Sequence, residues 1–292
     1  MSTGGEDKTM DFSKYEGLGN DLVFFAGRED KLLGAVDDRT AWMARVCDRH
    51  LGVGGDGLMF VAPHPDGDKT ARIAYYNADG SPAEMCGNGL RCACLFLLHR
   101  GAVATGAWFT VEMGGAGLRR CRIEEAYGHE AVVEVEIGSP ERGRGAEGEP
   151  ERLALTVAGR EVDLVPLSVS NPHAVTFQDL DQSDREALGP AIERDAHFPD
   201  RVNVEFARVA PDGGLDLVVW ERGCGFTQAC GSGACAAAVA AIWEGHVEAG
   251  RPVAVNLPGG TLHVRLDERD VIWLRGAARR AFEGTLDPDN YR

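Results

Sequence analysis

Hydrophobic and polar residues alternate along most of this chain. "AVVEVEIGS" (131–139), "RVNVEFARV" (201–209), "LDLVVWERG" (215–223) and "VAVNLPGGTLHVRLD" (253–267) carry apolar residues at about every second position. That is the period of a strand with one buried face. Short connections such as Pro211-Asp212-Gly213-Gly214 and Pro258-Gly259-Gly260 suit hairpins and tight turns. Two stretches break the alternation. Leu90, Cys94, Leu97 and Leu98 fall on one face of a helix that stops near Gly101. Ala234 to Trp243, "ACAAAVAAIW", is apolar on nearly every side and predicts a buried, tightly packed helix. The class is α+β, with mixed or antiparallel sheets.

Each predicted helix follows the same turn. Cys86-Gly87-Asn88-Gly89 aligns with Cys230-Gly231-Ser232-Gly233 at an offset of 144 residues (230 − 86). "RIAYY" (72–76) falls on "DLVVW" (216–220), and "VEMGGAGL" (111–118) on "VNLPGGTL" (255–262), in the same register. A constant offset through a strand, a turn, a helix and a hairpin indicates two similar domains from an internal duplication. The polar, Gly- and Pro-rich segment 138–152 reads as a surface loop or an interdomain connection, and residues 1–9 as a flexible tail.

Composition narrows the function. With 292 residues and 44% hydrophobic composition, the chain can bury a substantial core. A formal charge of −16 disfavours nucleic acid and anionic membranes as partners. The N-terminus, "MSTGGEDKTMDF", lacks the basic and apolar stretches of a secretory signal. The longest apolar run is about half of the roughly 20 residues that a membrane helix needs. These features predict a cytoplasmic protein. The eight cysteines then read as reduced thiols, and their spacings do not suit a structural zinc site.

Cys92, Cys94, Cys121 and Cys235 read as small core residues, the usual fate of a free cysteine. Cys86 and Cys230 differ, because each precedes Gly-x-Gly and a helix. Unpaired backbone N–H groups at the positive end of the helix dipole should lower such a thiol by a unit or more from about 8.5. The same N–H groups, at Gly87, Asn88, Gly231 and Ser232, can hold a substrate carboxylate as charge develops on it. Two thiols in equivalent half-sites suit a base and an acid acting on opposite faces of one carbon, as a racemase or epimerase requires. A cysteine protease would gain nothing from the second copy. No pyridoxal phosphate site is evident, and no metal or other cofactor is implied.

"NADGSPAEMCGNGLRCA" (77–93) and "ERGCGFTQACGSGACAA" (221–237) resemble the two signature segments of diaminopimelate epimerases. "GLGNDLVFF" (17–25), "DRHLGVGGDGL" (48–58), "VSNPHAV" (169–175) and "RVNVEF" (201–206) resemble the family's other blocks in the same order. The resemblance implies two similar domains, each a sheet wrapped around a central helix, with the active site in the cleft between them. It also implies that the C-terminal segment around "RGAARRAFEGTL" returns to the first domain. That gives domains of 10–130 plus 277–292, and of 131–276.

By motif match, Cys86 and Cys230 are the catalytic acid/base pair. Asn20, Asn77, Asn171, Asn203, Glu221 and Arg222 match positions that hold the substrate's polar ends. His173 is a possible auxiliary at the rim, and Asp56 is assigned to a turn. The implied reaction interconverts LL- and meso-diaminopimelate without a cofactor, in a homodimer, on the route to lysine and peptidoglycan. Read from the residues alone, Asn20, Asn77 and Asn171 suit turns and Glu221-Arg222 an exposed charge pair; Asn203, inside a strand pattern, does not suit a turn. One departure stands out: Gly225-Phe226-Thr227 occupies the place where the family has Gly-Glu-Thr. It keeps a racemase of proline or histidine type as the alternative, with a non-catalytic amino-acid-binding relative further off.

Overall fold

The computed structural model describes residues 9–83, 85–143 and 152–291. The segment 1–8 of the expected tail and residues 144–151 of the expected loop lie outside the described residues. The chain divides into two compact units, Met1–Val135 with Ala277–Arg292, and Glu136–Gly276.

In the first unit, the strand Met10–Gly17 turns back into Asn20–Ala26 through Leu18 and Gly19, with φ of 57° and 87°. Two successive positive φ values make the twisted two-residue turn that hairpins favour. The four-residue helix α1 is Glu29–Leu32, and α2 is Arg39–Cys47. Asn20–Ala26 pairs in parallel with Gly57–Pro63, which pairs antiparallel with Ala71–Asn77. Trp108–Met113 lies parallel to the latter and opens an antiparallel meander through Gly117–Tyr127 and Glu130–Gly138. The long last strand, Ile272–Leu286, pairs Leu286 with Met10 and Arg279 with Glu16.

These strands surround helix α3, Gly87–His99, whose residues Asn88 through Leu97 are all buried. Strand periodicity produces the two layers. In Asn20–Ala26, Phe24 stacks on Phe96 of α3, while Val23 and Phe25 face a separate core with Trp42, Met43 and Val46 of α2.

The second unit repeats the plan. Leu153–Val157 and Arg160–Ser168 form an antiparallel pair, and Pro172–Thr176 follows antiparallel. Helix α4, Gln182–Glu193, crosses over to Asn203–Val209, which lies parallel to Pro172–Thr176. Leu215–Glu221, the short strand Gly225–Phe226, Val253–Leu257 and Gly260–Leu266 complete the sheet with the start of the last strand. Helix α5, Gly231–Trp243, lies on one face of this sheet with Ala234 through Ala241 inaccessible to solvent. Helix α4 covers the other face, where Leu188 and Ile192 meet Val202, Val204 and Phe206.

α3 and α5 are each 13 residues long and begin 144 positions apart, as the repeat requires. The α+β class and the sheet around a central helix hold in both units. α2 and α4 were not read from the alternation. Among the described residues, no helix is long and apolar enough to cross a membrane.

Candidate active site

Cys86 is the N-cap of α3, and its sulfur accepts the Gly89 N–H at 3.2 Å. Cys230 is the N-cap of α5, and its sulfur accepts the Gly233 N–H at 3.3 Å. A helix leaves its first N–H groups without backbone partners, so a sulfur at the N-cap takes the place of the usual Ser or Asp oxygen. Glycine at the third helical position is required by space. A Cβ on Gly89 would stand 2.0 Å from Met59 Cε and 3.3 Å from Cys86 Sγ. On Gly233 it would stand 3.0 Å from Glu205 Oε1 and 3.2 Å from Cys230 Sγ.

Around Cys86, the thiol lies 3.8 Å from Oδ1 of Asn20, at the start of the strand after the first hairpin. The other end of that amide donates to Asp56 Oδ2 at 3.2 Å. Asp56 also accepts the Asp21 N–H at 3.0 Å and Arg49 at 2.7 Å. The turn assignment of Asp56 was therefore too modest: it fixes which end of the Asn20 amide faces the sulfur. Asp21 is bonded in turn to Arg49 and to the buried Lys14. Burial pushes the Asp21 carboxyl up, but its bonds to Arg49 and Lys14 hold it well below the usual carboxylate range.

Gly87 and Asn88 open α3 as expected. The Asn88 side chain is buried and accepts a 2.8 Å bond from Arg91. Asn77 is exposed at the end of its strand and donates to Ser81 Oγ at 3.0 Å, within a turn closed by Gly80 N–H to Asn77 C=O. Its geometry is that of a turn residue.

Around Cys230, Ser232 Oγ lies 3.5 Å from the sulfur. Glu221, at the end of its strand, accepts a bond from Thr227 and lies near enough to Cys230 to push its thiol up. Burial, with Glu205 nearby, pushes the Glu221 carboxyl up. Asn203 is buried and spends both amide ends on backbone, donating to Pro172 C=O at 3.1 Å and accepting the Arg222 N–H at 2.9 Å. It pins Arg222 beside the strand end. The exposed Arg222 guanidinium donates to Asp200 C=O at 2.9 Å.

His173 does not sit at a rim. Its side chain is inaccessible, held between Asn171 Oδ1 at 2.9 Å and Glu205 Oε1 at 2.7 Å. Glu205 was missed from sequence. It is fully buried, and its second oxygen, Oε2, makes no hydrogen bond.

The helix N-terminus alone does not set the thiol chemistry. For Cys230, burial pushes the thiol well above its ordinary value, Glu221 and Glu205 add to the shift, and Ser232 and the Gly233 N–H only partly oppose it. The expectation of a lowered thiol fails there because desolvation and two carboxyls outweigh one end of a helix. Of the remaining cysteines, Cys47, Cys92, Cys94, Cys121 and Cys235 are buried, and Cys224 is exposed in a turn.

Phe226, the departure from the family's pattern, packs edge-on against Trp220 with centroids 5.0 Å apart.

The fold defines a structural class that this chain shares with solved proteins. A hydroxyproline epimerase from Agrobacterium vitis superposes with a TM-score of 0.71 at 15% identity, over 96% of this chain and 93% of that one. A phenazine biosynthesis protein of the PhzF family from Bacillus anthracis gives 0.70 at 16% identity, over 95% and 99%. Sequence then selects within the class. The chain belongs to the diaminopimelate epimerase family, whose pattern matches residues 12–142 and 166–281. Diaminopimelate epimerases from Desulforudis audaxviator and Pelotomaculum thermopropionicum are 41% and 38% identical, each over 94% of this chain and 98% of its own length.

Proposed function

We propose that this protein interconverts LL- and meso-diaminopimelate with Cys86 and Cys230 as the two proton-carrying groups. The observation that carries the reading is the pair of cysteines capping equivalent helices, each sulfur held by the N–H of a Gly-x-Gly turn, in a chain of this family. One sulfur, as thiolate, takes the α-proton. The other, as thiol, delivers a proton to the opposite face, and the two exchange roles in the reverse direction. Backbone N–H groups of Gly87, Asn88, Gly231 and Ser232 hold the α-carboxylate and the charge that spreads onto it. Acid, base and charge stabilisation are then all supplied by the chain, so the reaction needs neither pyridoxal phosphate nor metal.

Asn20, Asn171, Glu221 and Arg222 supply the donors and acceptors that a substrate with two amino-acid ends requires, and Asn77 would have to leave its turn contacts to join them. His173 and Asn203 support from behind. We place the enzyme in the cytoplasm, in lysine and peptidoglycan precursor synthesis, as a homodimer; family membership supports these assignments.

The test is deuterium incorporation from heavy water at the α-carbon of LL-diaminopimelate, run beside L-histidine and L-proline. Exchange and inversion of diaminopimelate alone, lost in Cys86→Ala and Cys230→Ala, supports the proposal. Preferential exchange of another amino acid favours the second reading, a two-cysteine racemase with a different pocket, for which Phe226 is the specific motive. No exchange with any of them leaves only a binding protein.

A further inference from the structure

In each unit the strand ahead of the cysteine ends in a four-residue turn, Asn77–Gly80 in the first and Glu221–Cys224 in the second, again 144 residues apart (221 − 77). Each turn is closed by the N–H of its fourth residue on the C=O of its first, at 2.9 and 3.0 Å. The first is also tied by its own side chains: Asn77 donates to Ser81 Oγ, and Asp79 accepts the Ser81 N–H at 2.9 Å. The second has Gly223 where the first has Asp79, so it carries no side chain there to do the same. A carboxylate from another element takes that place.

The carboxylate is Glu193, the last residue of α4. Its Oε2 accepts the Trp220 indole N–H at 2.8 Å, and its Oε1 accepts the Gly223 N–H at 3.0 Å. Trp220 immediately precedes Glu221 and Gly223 immediately follows Arg222, so the two oxygens grip the chain on either side of that pair. Asn203 holds the Arg222 N–H in between. The site is a costly one for an acid, because Glu193 is 2% exposed and stands at the negative end of the helix dipole. Its ion-pair partner, the exposed Arg201, is 3.5 Å away. The two donors explain the choice of residue: a carboxylate presents two acceptors to them, whereas glutamine would present one acceptor and one donor. Docking α4 on the sheet does not call for the acid, since Leu188 and Ile192 already pack on Val202, Val204 and Phe206.

We propose that Glu193 is a positioning residue for substrate binding: by clamping Trp220 and Gly223 it fixes how Glu221 and Arg222 present their charges to the amino and carboxylate groups of an amino-acid substrate. This rests on the reading of Glu221 and Arg222 as substrate-binding residues. The clamp acts on binding and not on proton transfer, because the Cys230 cap is held by its own helix through the Gly233 N–H. Losing it weakens the hold on ground state and transition state alike, which raises KM and leaves kcat.

The test is α-proton exchange in heavy water by wild type and Glu193→Gln, with diaminopimelate, L-histidine and L-proline, together with calorimetric binding of whichever of these the wild type takes. Loss of one charged hydrogen bond at the turn should raise KM and Kd about tenfold and leave kcat within about twofold. Trp220→Phe removes one of the two donors, keeps an aromatic ring beside Phe226, and should raise KM about threefold; it serves if the glutamine variant does not fold. Without substrate, amide hydrogen exchange in Glu193→Gln should quicken at 221–224 and stay unchanged in α5. An unchanged KM and Kd in a folded variant overturns the proposal. So does a fall in kcat at constant KM, or exchange quickened throughout the unit, which would make Glu193 a general support of the fold. A wild type that neither exchanges nor binds any of these amino acids refutes the functional reading and this proposal with it, whereas an active wild type matched by Glu193→Gln refutes this proposal alone.

Discussion

The two half-sites share a backbone and differ in where they keep their charges. Around Cys86 the ionisable groups stand to one side, with Lys14, Asp21, Arg49 and Asp56 paired among themselves and joined to the sulfur through the Asn20 amide. Around Cys230 they stand directly behind it, with Glu205 and His173 buried and Glu221 at its flank. Duplication supplied two helix N-termini with the same hydrogen-bond geometry, 3.2 and 3.3 Å from N–H to sulfur. Identical caps therefore sit over different surroundings. The second-unit sulfur is governed by what the neighbouring strands place beneath it.

Equal duty in turnover is the strongest form of the comparison, and removing either thiol tests it. Cys86→Ala and Cys230→Ala should each lower turnover about 10²–10⁴-fold in both directions, because inversion needs an acid and a base in every cycle. Markedly unequal losses would mean that one sulfur is dispensable. The next largest effect is on stability. Asp21→Ala leaves Lys14, 5% exposed, without its 2.8 Å counter-ion, and should cost about 3 kcal/mol in chemical unfolding. The wild type carries the matching pH dependence. The Asp21 carboxyl sits below its unfolded value of about 3.9, so its contribution is complete above that pH and is lost as pH falls further. Acid unfolding that is the same in wild type and Asp21→Ala would show that this network does not stabilise the first half-site.

What could be read from the sequence follows from periodicity and its failures. α3 and α5 were legible because a glycine turn and an apolar run recur at one offset. α2 carried a usable signal, Asp38 as N-cap with Trp42, Met43, Val46 and Cys47 on one face, but it is short and its polar residues are interspersed. α4 has a capping box from Asp181 to Asp184, masked by Pro190 inside the helix. Glu205 was hidden by the alternation itself. In "RVNVEF", Val202, Val204 and Phe206 mark one face as buried, which casts Asn203 and Glu205 as solvent-facing. The sheet is covered on both faces, by α4 on the valine side and α5 on the other, so the polar face is interior too. The raised thiol of Cys230 was unreadable for the same reason, since it comes first from burial and then from Glu221 and that hidden carboxyl.

A smaller effect separates the two floors. An alanine at position 89 must displace Met59 Cε, the far end of a flexible side chain, and Leu22 Cδ1, whereas one at position 233 needs Glu205 Oε1 and Val219 Cγ2 to give by a few tenths of an ångström. Both substitutions gain helix propensity of about 1 kcal/mol, set against overpacking of about 1–3 kcal/mol. Gly233→Ala should therefore lower the melting temperature more than Gly89→Ala, because a hydrogen-bonded carboxylate yields less readily than a methionine. The reverse order would show that the carboxyl is loosely held, and would remove the rigid half of the comparison.

The smallest effect concerns the hairpins flanking the two caps. In the second unit Trp220 lies opposite Phe226, and in the first, 144 residues earlier, Tyr76 lies opposite Pro82. Phe226 is 41% exposed and meets Trp220 edge-on at 88°, an arrangement that supports packing of the hairpin. Phe226→Glu should lose about 1 kcal/mol of stability with the aromatic contact, and should leave turnover of diaminopimelate within about twofold. A large drop in KM for diaminopimelate, or a change in which amino acid exchanges its α-proton, would instead assign Phe226 to substrate choice. Specificity would then reside in the one hairpin where the second unit departs from its family's sequence, while the two sulfurs and their helices carry chemistry that a change of substrate leaves untouched.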